Sequence, residues 1–202
     1  MYATRPRSGA RTNQQRSETT TRALMAAARH LFVQHGYAET STPNIVGRAR
    51  ITRGALYHHF ADKRALFLAV VEEEARAVAA EIEAATSAVE DPLDALLVGS
   101  DAYLDAMTVP GRTRLLLLDG PAVLGVQVMR GIDESSSART LRAGIGAVMH
   151  KPRGVSLDRL GSLLSSAFDR AALDVAAGAD LREAKAAMRF VLSRIVSGAP
   201  RV

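Results

Sequence analysis

Apolar residues recur at helical spacing along almost the whole chain. Leu24, Ala27, Ala28 and Leu31 fall at i, i+3, i+4 and i+7 with Phe32 beside them, predicting a first helix from Ser17 that closes at Gly36. Thr40-Ser41-Thr42-Pro43 supplies a capping residue and then a proline at the first helical position, which opens a two-turn second helix bearing Ile45, Val46 and Ala49. Thr52 is the next cap, and a short third helix follows with Leu56 and Phe60, four apart, on its buried face. Asp62 caps a long fourth helix with the stripe Leu66, Phe67, Val70, Val71, Ala75 and Val78, while Glu72-Glu73-Glu74 reads as a solvated face.

Beyond Asp91-Pro92 the stripe is Leu93, Leu96, Leu97, Leu104 and Met107, broken by Val109-Pro110-Gly111. Leu115 to Leu118 is expected to be a short buried segment, followed by a cap-and-proline start at Asp119-Gly120-Pro121. The pattern weakens over 133–154, and Lys151-Pro152-Arg153-Gly154 reads as a loop. Two well-patterned helices, 157–177 and 180–197, close the chain on either side of Gly178. Leu160, Leu164, Ala167, Phe168, Ala171 and Val175 line the first; Ala184, Ala187, Met188, Val191 and Ile195 line the second. The expected fold is all-α with about nine helices: a three-helix helix-turn-helix unit over 17–64 and a helical domain over 65–202. Residues 1–16, polar with Pro6 and Gly9, are expected to form a disordered basic arm.

Composition sharpens this picture. Of 202 residues 48% are hydrophobic but only 4% aromatic, with no Trp, so the core is built from Ala, Leu, Val and Ile. Strand-forming β-branched and aromatic blocks are missing. The lack of cysteine excludes a disulfide framework and a thiolate metal site, and suits a reducing cytoplasm. The longest apolar run, Ala65 to Val71, is far short of the ~20 residues of a membrane span, and no apolar segment follows the N-terminal arginines. A soluble, cytoplasmic protein with no membrane partner is expected.

Charge separates the two ends. Residues 1–71 hold eleven Lys or Arg against three acids, a net +8; the whole chain is +5, leaving −3 for 72–202. A basic head on an acidic remainder suits a polyanion partner. Enzyme chemistry finds no support: nucleophile-and-base spacing, a phosphate-cradling glycine loop and a metal-ligand cluster are all missing. His58 and His59 point ~100° apart on a helix, and His30, His35 and His150 lack ligand spacing, so neither a metal nor a cofactor is expected.

The chemistry lies in the helix-turn-helix pattern, which sets its last helix in a DNA major groove. With Leu56 and Phe60 facing inward, Arg53, Gly54, Tyr57 and His58 are left on other faces. Arg53 can donate two hydrogen bonds to a guanine edge. Tyr57, His59 and Lys63 can donate to phosphates, fixing register rather than reading sequence. Gly54 costs ~1 kcal/mol relative to Ala inside a helix, which makes sense where backbone must approach DNA. Arg5, Arg7 and Arg11 could enter a minor groove or simply decorate a solvated tail.

Gly36-Tyr37, Thr40-Ser41-Thr42, the run Thr52-Arg53-Gly54-Ala55-Leu56-Tyr57-His58-His59-Phe60, then Asp62-Lys63 and Leu66 resemble the DNA-binding signature of the TetR family of bacterial transcriptional regulators. The resemblance covers about residues 17–70 and implies DNA contacts from Thr42, Thr52, Arg53, Gly54, Tyr57, His58, His59 and Lys63. Position 58 often carries Tyr in that family. The segment Arg114 to Gly125 looks like one found in a subgroup of these regulators, which commonly places Trp where this chain has Val126. The family further implies a homodimer joined by a four-helix bundle of the last two helices, here through Leu160, Leu164, Ala167, Phe168, Ala171, Met188, Val191 and Ile195.

Tyr103, Met107, Met129, Met149 and Phe168 are candidates for the lining of an effector cavity, or else plain core. Asp119 is either a ligand-binding carboxylate or a helix cap. The resulting expectation is a repressor that binds a palindromic double-stranded operator as a homodimer and is released by a small, mainly apolar effector. The alternative is a ligand-independent architectural DNA-binding protein, which about 130 residues beyond the head argue against.

Overall fold

A computed structural model describes residues 13–149 and 154–197, so the expected arm over 1–12, His150 and most of the 151–154 loop lie outside the described residues. Among those described, the chain forms ten α-helices and one π-helical turn, with no strand. It divides into two compact units, Met1–Phe67 and Leu68–Val202.

In the N-terminal unit α1 spans Asn13–Glu39, opening within the stretch expected as an arm. Gly36 interrupts it at φ 79°, where a side chain would be strained, and the chain makes one further turn to Glu39. Thr40 then donates its hydroxyl to the Gly36 carbonyl at 2.7 Å, tying off the break. α2 covers Thr42–Ala49 and is capped by the Ser41 hydroxyl, which accepts from the Asn44 amide at 3.3 Å. The cap therefore lies one residue earlier than the proline rule suggests, and Pro43 takes the second helical position, where its missing N–H is still harmless. Arg50 makes the turn in the left-handed region at φ 55°, the one non-glycine with positive φ among the described residues. α3, Arg53–His59, starts from Thr52, whose hydroxyl accepts from the Ala55 amide at 3.2 Å.

This unit closes on Leu24, Ala28, Phe32, Ile45, Leu56, Leu66 and Phe67, all essentially without solvent exposure. Phe32, Tyr37 and Phe67 pack ring to ring with centroids 5.0–5.7 Å apart. The two fully buried rings, Phe32 and Phe67, contribute roughly 1.5–3 kcal/mol each. The buried face of α3 is thereby fixed, and its other faces stay on the surface.

α4 spans Lys63–Thr86, with the Asp62 carboxylate accepting from the Ala65 amide at 2.7 Å as a cap should. In the C-terminal unit its Glu74 departs from the solvated face expected of it. Glu74 is only 6% exposed and accepts from Arg112 Nε at 3.1 Å. Arg112, itself buried, also donates to Glu81 at 3.0 Å and to the Ala106 carbonyl at 2.7 Å. α5, Pro92–Met107, is capped by Asp91 and buries Leu96, Ser100, Leu104 and Met107.

Arg114–Asp119 then forms a π-helical turn closed by the Gly120 amide on the Leu115 carbonyl. Leu115 and Leu116 are buried there, but Leu118 is 54% exposed, because the wider turn rotates it out of the core. A Cβ on Gly120 would meet the Leu115 carbonyl oxygen at 2.7 Å, so the turn requires glycine at that position. α6 (Gly120–Leu124), α7 (Val126–Glu134) and α8 (Ser137–Val148) follow. α9 (Leu157–Ala176) and α10 (Leu181–Ser197) end the described fold, separated at Gly178 with φ 109°.

Candidate functional site

Burial of Leu56 points the rest of α3 outward. Arg53, Gly54, Tyr57 and His58 are exposed, Tyr57 to 43%. Arg53 lies over the Tyr57 ring at 5.5 Å, and the Tyr57 hydroxyl is held below its ordinary pKa by hydrogen bonding to Arg53 and then to Thr42. Three sequence-predicted residues, Arg53, Tyr57 and Thr42, thus form one surface cluster spanning α2 and α3. A Cβ at Gly54 would meet no atom of the protein within 4 Å, so packing within the chain gives no reason for glycine at that position.

Three other predicted contacts are otherwise engaged. Thr52 spends its hydroxyl on the α3 cap. His59 is half-buried, its Nδ1 within 3.3 Å of the Thr21 hydroxyl on α1, while its ring packs edgewise on that of His58. Lys63 is a staple: its ammonium donates to the carbonyls of Tyr37 and Thr40, both at 2.9 Å, and sits 4.2 Å from the Tyr37 ring. Two of its three N–H groups are used in closing the end of α1, which leaves one for a phosphate.

A cavity of about 320 Å³ lies within the C-terminal unit, walled by α4, α5, α8 and α9. Leu96, Tyr103, Leu141, Gly144, Ser165 and Phe168 are among its lining residues, none of which is charged. Tyr103 and Phe168 meet edge to face at 5.5 Å. A second cavity of about 340 Å³ shares Tyr103, Ser137 and Ser165 with the first and adds Met107, Met129, Asp133 and Asp169. Four of the six residues expected at a cavity therefore border one. The other two do not. Met149 is buried core after α8, and Asp119 lines neither of these two cavities and makes no side-chain cap. The Asp119 carboxylate instead accepts from Arg114 Nε at 3.1 Å across the π-helical turn, whose backbone leaves no extended capping position.

Carboxylates missed in the sequence pattern gather at the shared wall. The Tyr103 hydroxyl donates to Asp169 at 2.6 Å, and the Ser137 and Ser165 hydroxyls donate to the two oxygens of Asp133, each at 3.1 Å. Burial pushes the Asp169 pKa up to about 6; the Tyr103 hydrogen bond opposes this and the nearby Asp133 adds to it. Burial, reinforced by Asp169, drives the Tyr103 phenol well above its usual value. Asp169 is separated from Tyr103 by 66 residues, so no local spacing could have announced the pair.

On α9 and α10 the residues expected to face a partner divide by burial. Leu164, Phe168 and Met188 point into their own unit and are buried. Ala167 and Val191 are exposed, while Leu160, Ala171 and Ile195 are half-buried. The outward apolar face instead carries Leu163 at 64% and Phe190 at 62% exposure, neither of them predicted. Arg189 on α10 reaches inward to both oxygens of Asp101 on α5 at 3.0 Å, which fixes the rotation of α10.

Comparison with known proteins agrees with this architecture. Residues 24–70 match the family described as bacterial regulatory proteins, tetR family, and residues 93–199 match the tetracyclin repressor-like C-terminal domain. A crystal structure of a TetR-family transcriptional regulator from Pectobacterium atrosepticum is 31% identical, covering 95% of this chain and 100% of that one with a TM-score of 0.67. The structure of RolR in complex with resorcinol shares the fold, at 17% identity, TM-score 0.65 and coverage of 94% and 97%. The A-factor receptor protein of Streptomyces griseus is 34% identical over 94 residues, 46% of this chain and 32% of that protein. The chain spans about a third to a half of the length of the curated relatives it matches. No described helix is long and apolar enough to cross a membrane.

Proposed function

The chain belongs to the tetR family of bacterial regulatory proteins, and on that premise we propose that it is a cytoplasmic, homodimeric repressor released from a palindromic operator by a small, mainly apolar effector. The family is one of DNA-binding transcription regulators rather than enzymes, so the finer question is how this chain reads DNA and what releases it. The observation that carries the reading is the surface cluster of Arg53, Tyr57 and Thr42, displayed on α2 and α3 by the burial of Leu56 on the opposite face. Arg53 supplies base discrimination, Tyr57 and Thr42 position it on the backbone, and Gly54 lets the helix approach closely. His58 adds an exposed ring beside them, with Thr52, His59 and Lys63 acting mainly by holding α3 in place.

Pairing through Leu163, Ala167, Phe190 and Val191 doubles the reading head, so a symmetric operator follows from the symmetry of the pair. The uncharged cavity supports an effector of modest size, and the receptor name of one similar protein, the A-factor receptor protein, is in keeping with a sensing role. Release requires the effector to favour the DNA-incompetent arrangement, by ~5.5 kcal/mol for a full 99:1 reversal.

Footprinting on the surrounding promoter DNA, followed by anisotropy titrations at several salt concentrations, tests this. The expected result is a two-fold symmetric footprint bound by two chains, with log K falling by roughly 0.9 per phosphate contacted as log salt rises. Uniform protection of any duplex without a preferred sequence contradicts the repressor reading and favours the architectural one.

A further inference from the structure

We propose that the C-terminal cavity selects an effector combining an apolar body of roughly a dozen heavy atoms with a protonated amine, and that it discriminates against carboxylates of the same body. This rests on the effector reading above and deepens it. The size follows from filling about 320 Å³ at protein-like density.

The head group follows from what the walls have left to offer. Of the hydroxyls on the first cavity's lining, those of Tyr103, Ser137 and Ser165 are committed as donors to Asp169 and Asp133, and that of Thr86 to the Ile82 carbonyl. Their oxygens retain lone pairs, so they can still accept. Ser100, one turn before Tyr103 on α5, is 4% exposed and its hydroxyl has no hydrogen-bond partner among the described residues. A buried hydroxyl without a partner is destabilising, a penalty that a polar atom on a ligand would relieve.

Charge points the same way. The first cavity has no basic residue on its lining, and the shared wall is backed by two carboxylates, Asp169 and Asp133. Arg130 and Arg142 border only the second cavity, together with Glu134, and Arg142 donates to the Glu134 carbonyl at 3.4 Å. An ammonium placed against Tyr103 and Ser165 would donate to oxygens already polarised by these acids, whereas a carboxylate would find donors only in the Ser100 and Thr140 hydroxyls and would meet like charge at the shared wall.

Isothermal titration of the full chain with 4-phenylbutylamine, 4-phenylbutanol and 4-phenylbutanoate at pH 7.5 separates these cases. The amine is expected to bind about tenfold tighter than the alcohol and about a hundredfold tighter than the acid, the scale of one partly solvated charge interaction. Asp169→Asn, which keeps an acceptor for the Tyr103 hydroxyl, and Asp133→Asn, which keeps one for a single serine hydroxyl and presents an N–H to the other, are expected to erase most of the amine's advantage over the alcohol. Equal binding of alcohol and amine, or tighter binding of the acid, overturns the head-group assignment while leaving an effector cavity intact. If none of the three binds even at millimolar concentration, both the head-group assignment and the effector role of this cavity fail.

Discussion

Arg53 in the N-terminal unit and Arg112 in the C-terminal unit are the same side chain in opposite settings. Arg53 stands exposed at the start of α3, with Tyr57 and Thr42 for neighbours and no ion pair to an acid among the described residues. Arg112 is buried, and its guanidinium donates to Glu74, Glu81 and the Ala106 carbonyl. A desolvated charge must be matched inside the protein, so Arg112 is structural; an exposed fork that meets only Tyr57 keeps its other donors for a partner. The contrast extends to the units. The N-terminal one turns its polar groups outward on a short helix, and the C-terminal one turns Tyr103, Asp133 and Asp169 inward on cavity walls.

The largest expected effect is therefore at Arg112. Arg112→Ala should destabilise the C-terminal unit by about 3–5 kcal/mol in urea unfolding, because Glu74 is left buried and under-paired. Replacing both partners, Arg112→Met with Glu74→Leu, should recover most of the loss. A small effect of the single change would place Arg112 with Arg53 among the uncommitted side chains.

Asp169 comes next. Its folded pKa, about 6, lies above its ordinary 3.8, so the cost of ionising it is absent below pH 4 and grows as pH rises through 6. Asp133 and Tyr103 face it, and Arg130, Glu134 and Arg142 border the same second cavity. Wild-type stability should fall relative to Asp169→Asn between pH 4 and pH 6.5, by at most ~3 kcal/mol, and run parallel to it above that. Parallel curves throughout would mean that Asp169 is no more desolvated than a surface acid.

Lys63→Ala sharpens the contrast inside the N-terminal unit. Losing two charge-assisted bonds to Tyr37 and Thr40 should cost about 1.5–3 kcal/mol of stability, measured by thermal unfolding, and leave the salt slope of DNA binding nearly unchanged. A slope smaller by about one with no loss of stability would make Lys63 a phosphate contact instead. The smallest effect is at Gly54. Gly54→Ala should stabilise α3 by about 0.5–1 kcal/mol, since the added Cβ meets nothing, and yet weaken operator binding in anisotropy titrations.

How much could be read in advance follows from how local each feature is. The caps at Thr52 and Asp62, the buried Leu56 and the break at Gly178 are set by residues within a turn or two, and the sequence pattern finds them. Glu74 was misread because its partner lies 38 residues away. On α9 Leu160, Leu163, Leu164, Ala167 and Phe168 make both sides apolar, so periodicity finds the helix but not its rotation. Contacts to α5 decide that rotation, through Phe168 against Tyr103 on α9 and Arg189 against Asp101 on α10. Asp119 failed for another reason: nothing in Arg114-Leu115-Leu116-Leu117-Leu118 distinguishes a π-helical turn from an α-helical one before the chain is folded.

Selection from a pool of random duplexes, run in parallel with the wild type and with Arg53→Ala, bears most directly on the role given to α3. The wild type should enrich a two-fold symmetric motif. The variant should lose its preference at one base pair in each half, at a cost of about 1–3 kcal/mol per contact, and keep the rest. An identical motif from both proteins would contradict base reading by Arg53.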